Sequence, residues 1–504
     1  MFVELLLLVS LILFLLLYGR MIYGRFTLPP GPLPVPIFGN ILHMNPARPQ
    51  NTMQEWSKKY GPVFTMWLAN QPVIIVTDYE IMKDALTKHG DQLSGRPRIF
   101  AFDIFTGGNY GLVFASGDLW KEQRRFSLQV LRSFGLGRNI MEEKILFEAR
   151  QLSSFVLEEM KSERQVVLDM SMPLQLCVGN IIASMLFGHR FERGDERFFI
   201  LKQILEENFK LLNDVKIILL NSFPWLRFIP LFGHFGTDDL QRQNQVFLKF
   251  MTSELDQHKE ELKAKMDLDE EPSDFVEAYL KEIKRREEAG ENMSHFSEWQ
   301  LLCIISDLFT AGMETTVTTL RWAVLAMVKY PNVQRKVVEE IDSVIGREKP
   351  PTMSDRQILP YVTATLNEVQ RWGNIVPINI SHTNETDFQL GPYKIPKSAE
   401  IVPQIASLAI DENIFQSPHE FRPERFLEED GKTLRKVDQF APFSMGKRQC
   451  LGEGLARAEM FLIFVHLMQH FELLIPPGAE EPSSEPGLGL TSAPHPHETL
   501  VTLR

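Results

Sequence analysis

Near its start the chain carries an apolar run from Leu5 to Tyr18, broken only by Ser10, and just beyond it "LPPGPLPVP" places prolines at 29, 30, 32, 34 and 36. These two features constrain the gross arrangement. With Phe2 and Val3 the run approaches the roughly 17–25 apolar residues that cross a bilayer as a helix. Glu4 precedes it while Arg20 and Arg25 follow it, and because basic flanks stay on the cytosolic side the remainder faces the cytosol. A cleavable signal peptide would begin basic and end on small residues, and "YGRMIYGRF" offers no such site. Residues 1–26 therefore read as an uncleaved transmembrane anchor. Residues 28–36 read as a stiff, extended hinge, leaving 27–504 as one large body.

That body has an ordinary globular composition, 44% hydrophobic and 23% charged, and the formal net charge of −12 speaks against a nucleic-acid partner. Cys177, Cys303 and Cys450 are odd in number and widely spaced, so neither a disulfide framework nor a zinc quartet can be built from them. The N-x-[ST] sites at Asn292 and Asn384 stay unglycosylated in the cytosol. "VFTMWLANQPVIIVTD" reads as two strands around Asn70 and Gln71, and "FQLGPYKIPKSAEIVPQ" as short hairpins. Between them helical patterns dominate. The longest runs from Ser297 to Tyr330, opened by Ser297 and Gln300 at capping-box spacing and closed by Pro331. The fold class is therefore mainly α with small β-sheets. Two readings stand for the apolar stretch Phe209 to Gly236: buried core, or a second surface dipping into lipid. "LDEEPSDFVEAYLKEIKRREEAGEN" reads as a solvated, charged stretch.

"FAPFSMGKRQCLGEG" holds Cys450 between glycines, with Lys447 and Arg448 just before it and a helix starting just after. Gly446 and Gly452 permit backbone conformations closed to other residues. Positive charge and backbone N–H groups lower a thiol pKa, so this sulfur suits a ligand or nucleophile. A buried structural cysteine would need neither the glycines nor the arginine. A catalytic nucleophile would need a histidine partner. The third reading is an axial thiolate on haem iron, with Arg448 pairing a haem carboxylate and Phe443 shielding the sulfur. Phe443, Gly446, Arg448, Cys450 and Gly452 satisfy F-x-x-G-x-R-x-C-x-G. This resembles the haem-binding loop of the cytochrome P450 monooxygenases.

Other stretches fit the resemblance in order along the chain. "AGMETT" sets Gly312, Thr315 and Thr316 in a helix that would prefer alanine or leucine, and it resembles the family's oxygen-activation motif. Ala311 and Gly312 would leave room for a flat cofactor. Thr315 would bond back to the Ala311 carbonyl or open a groove for water, relaying protons with Glu314. "EVQR" puts Glu368 and Arg371 on one helix face. The resemblance implies that these two and Arg425 of "FRPERF" form a buried structural triad bracing the cysteine loop. "WKEQRR" supplies Trp120 and Arg124, which in the family bond the haem propionates together with Arg448, His382 and Arg96. At His382 the chain departs from the pattern, carrying Ser381 where proline is common; a lone histidine is also often only structural.

The resemblance spans the chain and implies the cytochrome P450 fold, with a long central helix over haem b. "FGLGRNIMEEKI", "TTLRWAVLAMVKYP" and "EVQRWGNIVP" are similar to the second family of animal microsomal enzymes, most of all its J subfamily. It further implies insertion of one oxygen atom from O2 into polyunsaturated fatty acids such as arachidonic acid and into xenobiotics. Electrons would come from NADPH-cytochrome P450 reductase, with cytochrome b5 as a further partner, at the endoplasmic reticulum membrane. Lys121, Arg125, Arg132, Arg138 and Lys447 form a basic face suited to an acidic redox protein. Val113, Phe114, Ala311, Val376, Ile380 and Leu490 are the pocket positions the motifs mark. A haem-thiolate isomerase working without a reductase, and a non-catalytic membrane haem or lipid binder, are the competing readings.

Overall fold

The computed structural model describes residues 2–45, 48–134, 139–212, 214–229, 232–263, 268–487, 489 and 491–504. Arg138 and Leu490 lie outside them. Helices make up most of the described chain. The strands are β1 (Val63–Leu68), β2 (Gln71–Val76), β3 (Gln165–Leu168), β4 (His382–Thr383), β5 (Phe388–Leu390), β6 (Tyr393–Ile395), β7 (Glu400–Pro403), β8 (Phe471–Leu474) and β9 (Thr499–Leu503). They form a sheet in the order β1-β2-β7-β4, a second in the order β3-β9-β8, and the β5-β6 hairpin. In the first sheet β2 and β7 are parallel, with Val73 opposite Glu400, while β4 returns antiparallel with His382 opposite Ile401. The sheet thus carries His382 into the interior.

Phe2–Thr27 is one helix. At its end Met21 is buried, and a side chain at Gly24 would stand 2.8 Å from the Trp67 ring. The proline segment is less a free strut than a packed edge. The Thr65 N–H donates to the Pro30 carbonyl at 3.0 Å, and a Cβ at Gly31 would sit 1.8 Å from the Thr65 oxygen.

The central helix, Glu298–Lys329, runs through the main hydrophobic core. The Ser297 hydroxyl caps it by accepting from the Gln300 N–H. Only half of the expected capping box forms, because the Gln300 carboxamide instead accepts from the Gly111 N–H at 3.0 Å and donates to the Gly111 carbonyl at 3.1 Å. Gly312 also differs from expectation. A Cβ there would meet Ile182 of the Ser171–Leu186 helix at 2.8 Å, so its small size serves helix packing, not room for a cofactor.

The stretch read as solvated is half interior. Asp274 caps the Phe275–Ala289 helix and pairs with the buried His258 at 2.8 Å, while Phe275 and Tyr279 are core. The alternating charges mask this, because only the far half of the helix is exposed. The Phe209 to Gly236 stretch divides between its two readings. Ile217, Leu220 and Leu226 join a small core cluster, while Val215, Trp225 and Phe228 project outward.

Deep in the bundle, Glu459 of the Glu453–His470 helix accepts a hydrogen bond from Thr316 at 3.1 Å, and its second oxygen has no partner. Burial pushes this carboxyl up to about 8, against the smaller downward pull of Thr316. A carboxyl whose folded pKa is raised gives stability that is present at acid pH and lost as pH climbs through the folded value. Denaturation at about pH 5 and pH 9 should therefore show the wild type losing stability at the alkaline end. Glu459→Gln should lose less over the same interval.

Candidate active site

The Cys450 loop gets its shape from a close approach. Gly446 sits at φ 76°, and a Cβ there would lie 1.9 Å from the Leu86 carbonyl oxygen. Only glycine can stand at this position. Gly452, by contrast, lies at φ −90°, a backbone conformation open to any residue. The 3₁₀ turn Gly446–Arg448 ends just ahead of Cys450, whose N–H donates to the Phe443 carbonyl at 2.9 Å. Burial pushes its thiol up, against the pull of the Gly452 and Glu453 N–H groups and the Arg124 guanidinium. Phe443 is half-buried, and its ring packs beneath the Arg457 guanidinium at 4.7 Å.

Three guanidinium groups converge beside this loop. Arg448 donates to the carbonyls of Ser94, Leu112 and Ala115 and lies 3.7 Å above the Trp120 ring. Arg96 donates to Val113 and Ser381, and Arg124 to Gln449. Among the described residues no carboxylate pairs with any of the three. Burial, then mutual repulsion, pushes Arg448 down to about 8 and Arg96 to about 9. Burying cations together without a counterion is costly, so the donor set is built for an anion that the chain does not supply.

His382 belongs to the same cluster. Burial, Arg96 and Arg448 push it down to about 3, so the ring is neutral. Its Nδ1 lies 2.7 Å from the Leu93 carbonyl and must carry the proton, since a carbonyl only accepts. Nε2 is then an acceptor. A carboxylate brought close would draw a proton onto Nε2 and make it a donor.

On the opposite side, Ala311 is exposed although it lies midway along a largely buried helix, so a recess opens onto it. The Thr315 hydroxyl donates to the Ala311 carbonyl at 2.8 Å, as the sequence suggested. Glu314 turns along the helix instead, where its Oε1 accepts from Thr318 at 3.3 Å and Thr491 at 2.8 Å. Of the marked pocket positions, Phe114 stacks on Phe102 at 3.8 Å, Val113 and Val376 are half-buried, and Ile380 is 43% exposed.

Asp307 is a residue that sequence reasoning missed. Its carboxylate accepts from the N–H groups of Leu112 and Val113 at 2.7 and 2.9 Å. Burial raises it to about 6, opposed by those two bonds. An aspartate eight positions before Thr315, on an otherwise apolar stretch, was the available signal. Ile378, 41% exposed next to the marked positions, was also missed.

A family model described as cytochrome P450 matches residues 29–501. The chain belongs to the cytochrome P450 family. It is similar to cytochrome P450 2C3 of Oryctolagus cuniculus, 37% identical over 478 residues covering 94% of each chain. It is 39% identical to cytochrome P450 2C29 of Mus musculus, over 92% of this chain and 91% of the relative. It is 37% identical to cytochrome P450 2F2 of Mus musculus, over 95% of both. The protein is a haem-thiolate monooxygenase acting on lipophilic compounds, and its cofactor is haem b with a cysteine thiolate as axial ligand.

The residues of this P450 fit that group. Cys450 is the available thiolate, while Arg96, Arg124, Arg448 and His382 would receive the two propionates, with Trp120 as the platform beneath Arg448. Bound there, the haem supplies oxygen binding and activation.

The triad of Glu368, Arg371 and Arg425 is fully assembled. Arg371 donates Nε and Nη2 to the two Glu368 oxygens at 2.7 Å each, and Arg425 Nε donates to Glu368 at 3.0 Å. Both arginines also donate to carbonyls between Ala409 and Glu420. The triad therefore braces the 409–425 stretch directly, and the adjoining Phe426 packs 4.8 Å from Phe440 at the start of the cysteine loop. Arg371→Met would take from a fully buried carboxylate one of its two guanidinium partners, at a cost of about 3–5 kcal/mol. In urea unfolding that loss should exceed the loss from an Arg335→Met surface control.

Proposed function

We propose that this P450 hydroxylates or epoxidises polyunsaturated fatty acids such as arachidonic acid and oxidises small lipophilic xenobiotics, as its likeness to the J subfamily suggests. The relatives named above are of the C and F subfamilies. The observation that carries the reading is the apolar character of Ala311, which neighbours Thr315, and of the open positions that follow the Pro360–Gly373 helix. Ala311, Ile378 and Ile380 offer no charge to a substrate and suit an alkyl chain or an aromatic body.

The residues divide the work. Cys450 ligates the metal, while the apolar wall orients the substrate and excludes water. Thr315 holds a proton at Oγ1 and, by releasing the Ala311 carbonyl, turns it toward the oxygen side. Glu314 resupplies that proton. The Glu314 and Thr315 pair favours monooxygenation over peroxide isomerisation, which needs no external protons.

The protein takes electrons from a redox partner, NADPH-cytochrome P450 reductase, with cytochrome b5 as a second donor. Lys121, Arg125, Arg132 and Lys447 are exposed. Lys121 pairs with Asp118 and Lys447 with Asp91, whereas Arg125 and Arg132 have no ion pair among the described residues. Arg125 and Arg132 are therefore the freer docking charges. Residues 1–26 anchor the enzyme in the endoplasmic reticulum membrane with the body in the cytosol, and Val215, Trp225 and Phe228 give it a second lipid contact.

With reductase, NADPH and either arachidonic acid or an aromatic drug, the wild type should form oxygenated products and, when reduced under carbon monoxide, show a strongly red-shifted Soret band. Cys450→Ser should do neither. Conversion of an added lipid peroxide without reductase, with no NADPH-dependent product, would favour the isomerase instead. Arg125→Glu should cut reductase-driven turnover several-fold while sparing peroxide-driven turnover. Equal loss in both assays would remove the docking role.

A further inference from the structure

Glu314, Thr318, Arg321 and Trp322 lie at i, i+4, i+7 and i+8, one face of the central helix. The loop before β9 is stitched along that face. Thr491 donates to Glu314 at 2.8 Å, Trp322 Nε1 donates to the Ser492 carbonyl at 2.6 Å, and Arg321 donates to the Pro494 carbonyl at 2.9 Å. The same loop is tied to the pocket wall, since the Ser492 N–H donates to the Ile375 carbonyl at 2.9 Å. Ile375 leads directly into the segment that exposes Ile378 and Ile380. One short stretch therefore bonds both the acid and the backbone that leads into the open apolar positions.

In this arrangement the two members of the relay are apart. The Thr315 hydroxyl is spent on Ala311, and no hydrogen bond joins Glu314 to Thr315 among the described residues. The Glu314 oxygen has two hydroxyl donors, one from its own helix and one from the loop. The helix donor moves with the acid, whereas the loop donor does not. Thr491 is thus the contact through which something outside the helix can hold or release the carboxylate.

We propose that Thr491 is a positioning residue that holds Glu314 in a resting pose until substrate, bearing on the Ile375–Ile380 wall, shifts the loop and frees the acid for Thr315. The proposal rests on the reading of Glu314 as the proton source. It makes proton delivery conditional on a filled pocket, so that oxygen is not reduced idly.

A hydrogen bond to a charged group is worth enough that its loss changes the ratio of held to free acid about ten-fold. Thr491→Val keeps the shape and removes the donor, while Thr491→Ser keeps the donor. With reductase, Thr491→Val should raise substrate-free NADPH oxidation several-fold and lower product formed per NADPH. Thr491→Ser should follow the wild type. Independently of turnover, crystal structures without and with a bound fatty acid should show the Glu314 to Thr491 contact made in the first and broken in the second.

If Thr491→Val matches wild type in both rates, or the contact survives substrate, the latch is overturned. Glu314→Gln separates the two ideas. Lost turnover in Glu314→Gln beside an inert Thr491→Val removes the latch and keeps the relay, whereas unchanged turnover in Glu314→Gln removes both. The reduced carbon monoxide spectrum of each variant confirms an intact site.

Discussion

Mutual repulsion among Arg96, Arg124 and Arg448 is the constraint around which this molecule is arranged. Each guanidinium is fixed by backbone carbonyls and not by carboxylates. Carbonyl dipoles hold a cation in place without cancelling its charge, so the field survives for an incoming anion. The arginines also draw distant segments together. Residues 93–96, 112–115, 381–382 and 448–450 are joined in part by these donors, which take acceptors from all of them.

The triad solves the opposite problem. Glu368 is satisfied by two guanidiniums and by the Arg422 N–H at 2.8 Å, so its charge is internally cancelled. Its contribution is rigidity. The protein thus contains one arginine cluster that brings its own carboxylate and another that brings none.

The motifs made much of this legible. "EVQR" and "FRPERF" put Glu368, Arg371 and Arg425 together, and "AGMETT" put the Thr315 hydroxyl on the Ala311 carbonyl, because short spacings on a helix or turn translate directly into proximity. The reading failed where a residue's role depended on a neighbour far along the chain. Gly312 looked like room for a cofactor, but Ile182 is what fills the space. Gln300 had the spacing of a capping box, but Gly111 offered its side chain a buried pair of partners. Asp307 carried no local signal beyond its apolar surroundings, because its meaning lies in two amides nearly two hundred positions earlier. Periodicity reports faces of elements, and it does not say what will pack on them.

The contact of Gly446 with Leu86 has a consequence for how the chain assembles. The Leu86 carbonyl belongs to the π-turn Asp84–Lys88, and that turn sets how deeply the thiolate loop can settle. The two halves of the contact are separated by most of the sequence, so the ligand loop cannot reach its final depth until the N-terminal sheet region has docked on the C-terminal half. Such non-local closure is slow relative to helix formation. The depth of the cysteine loop is therefore set by a segment that the chain supplies more than three hundred and fifty residues earlier.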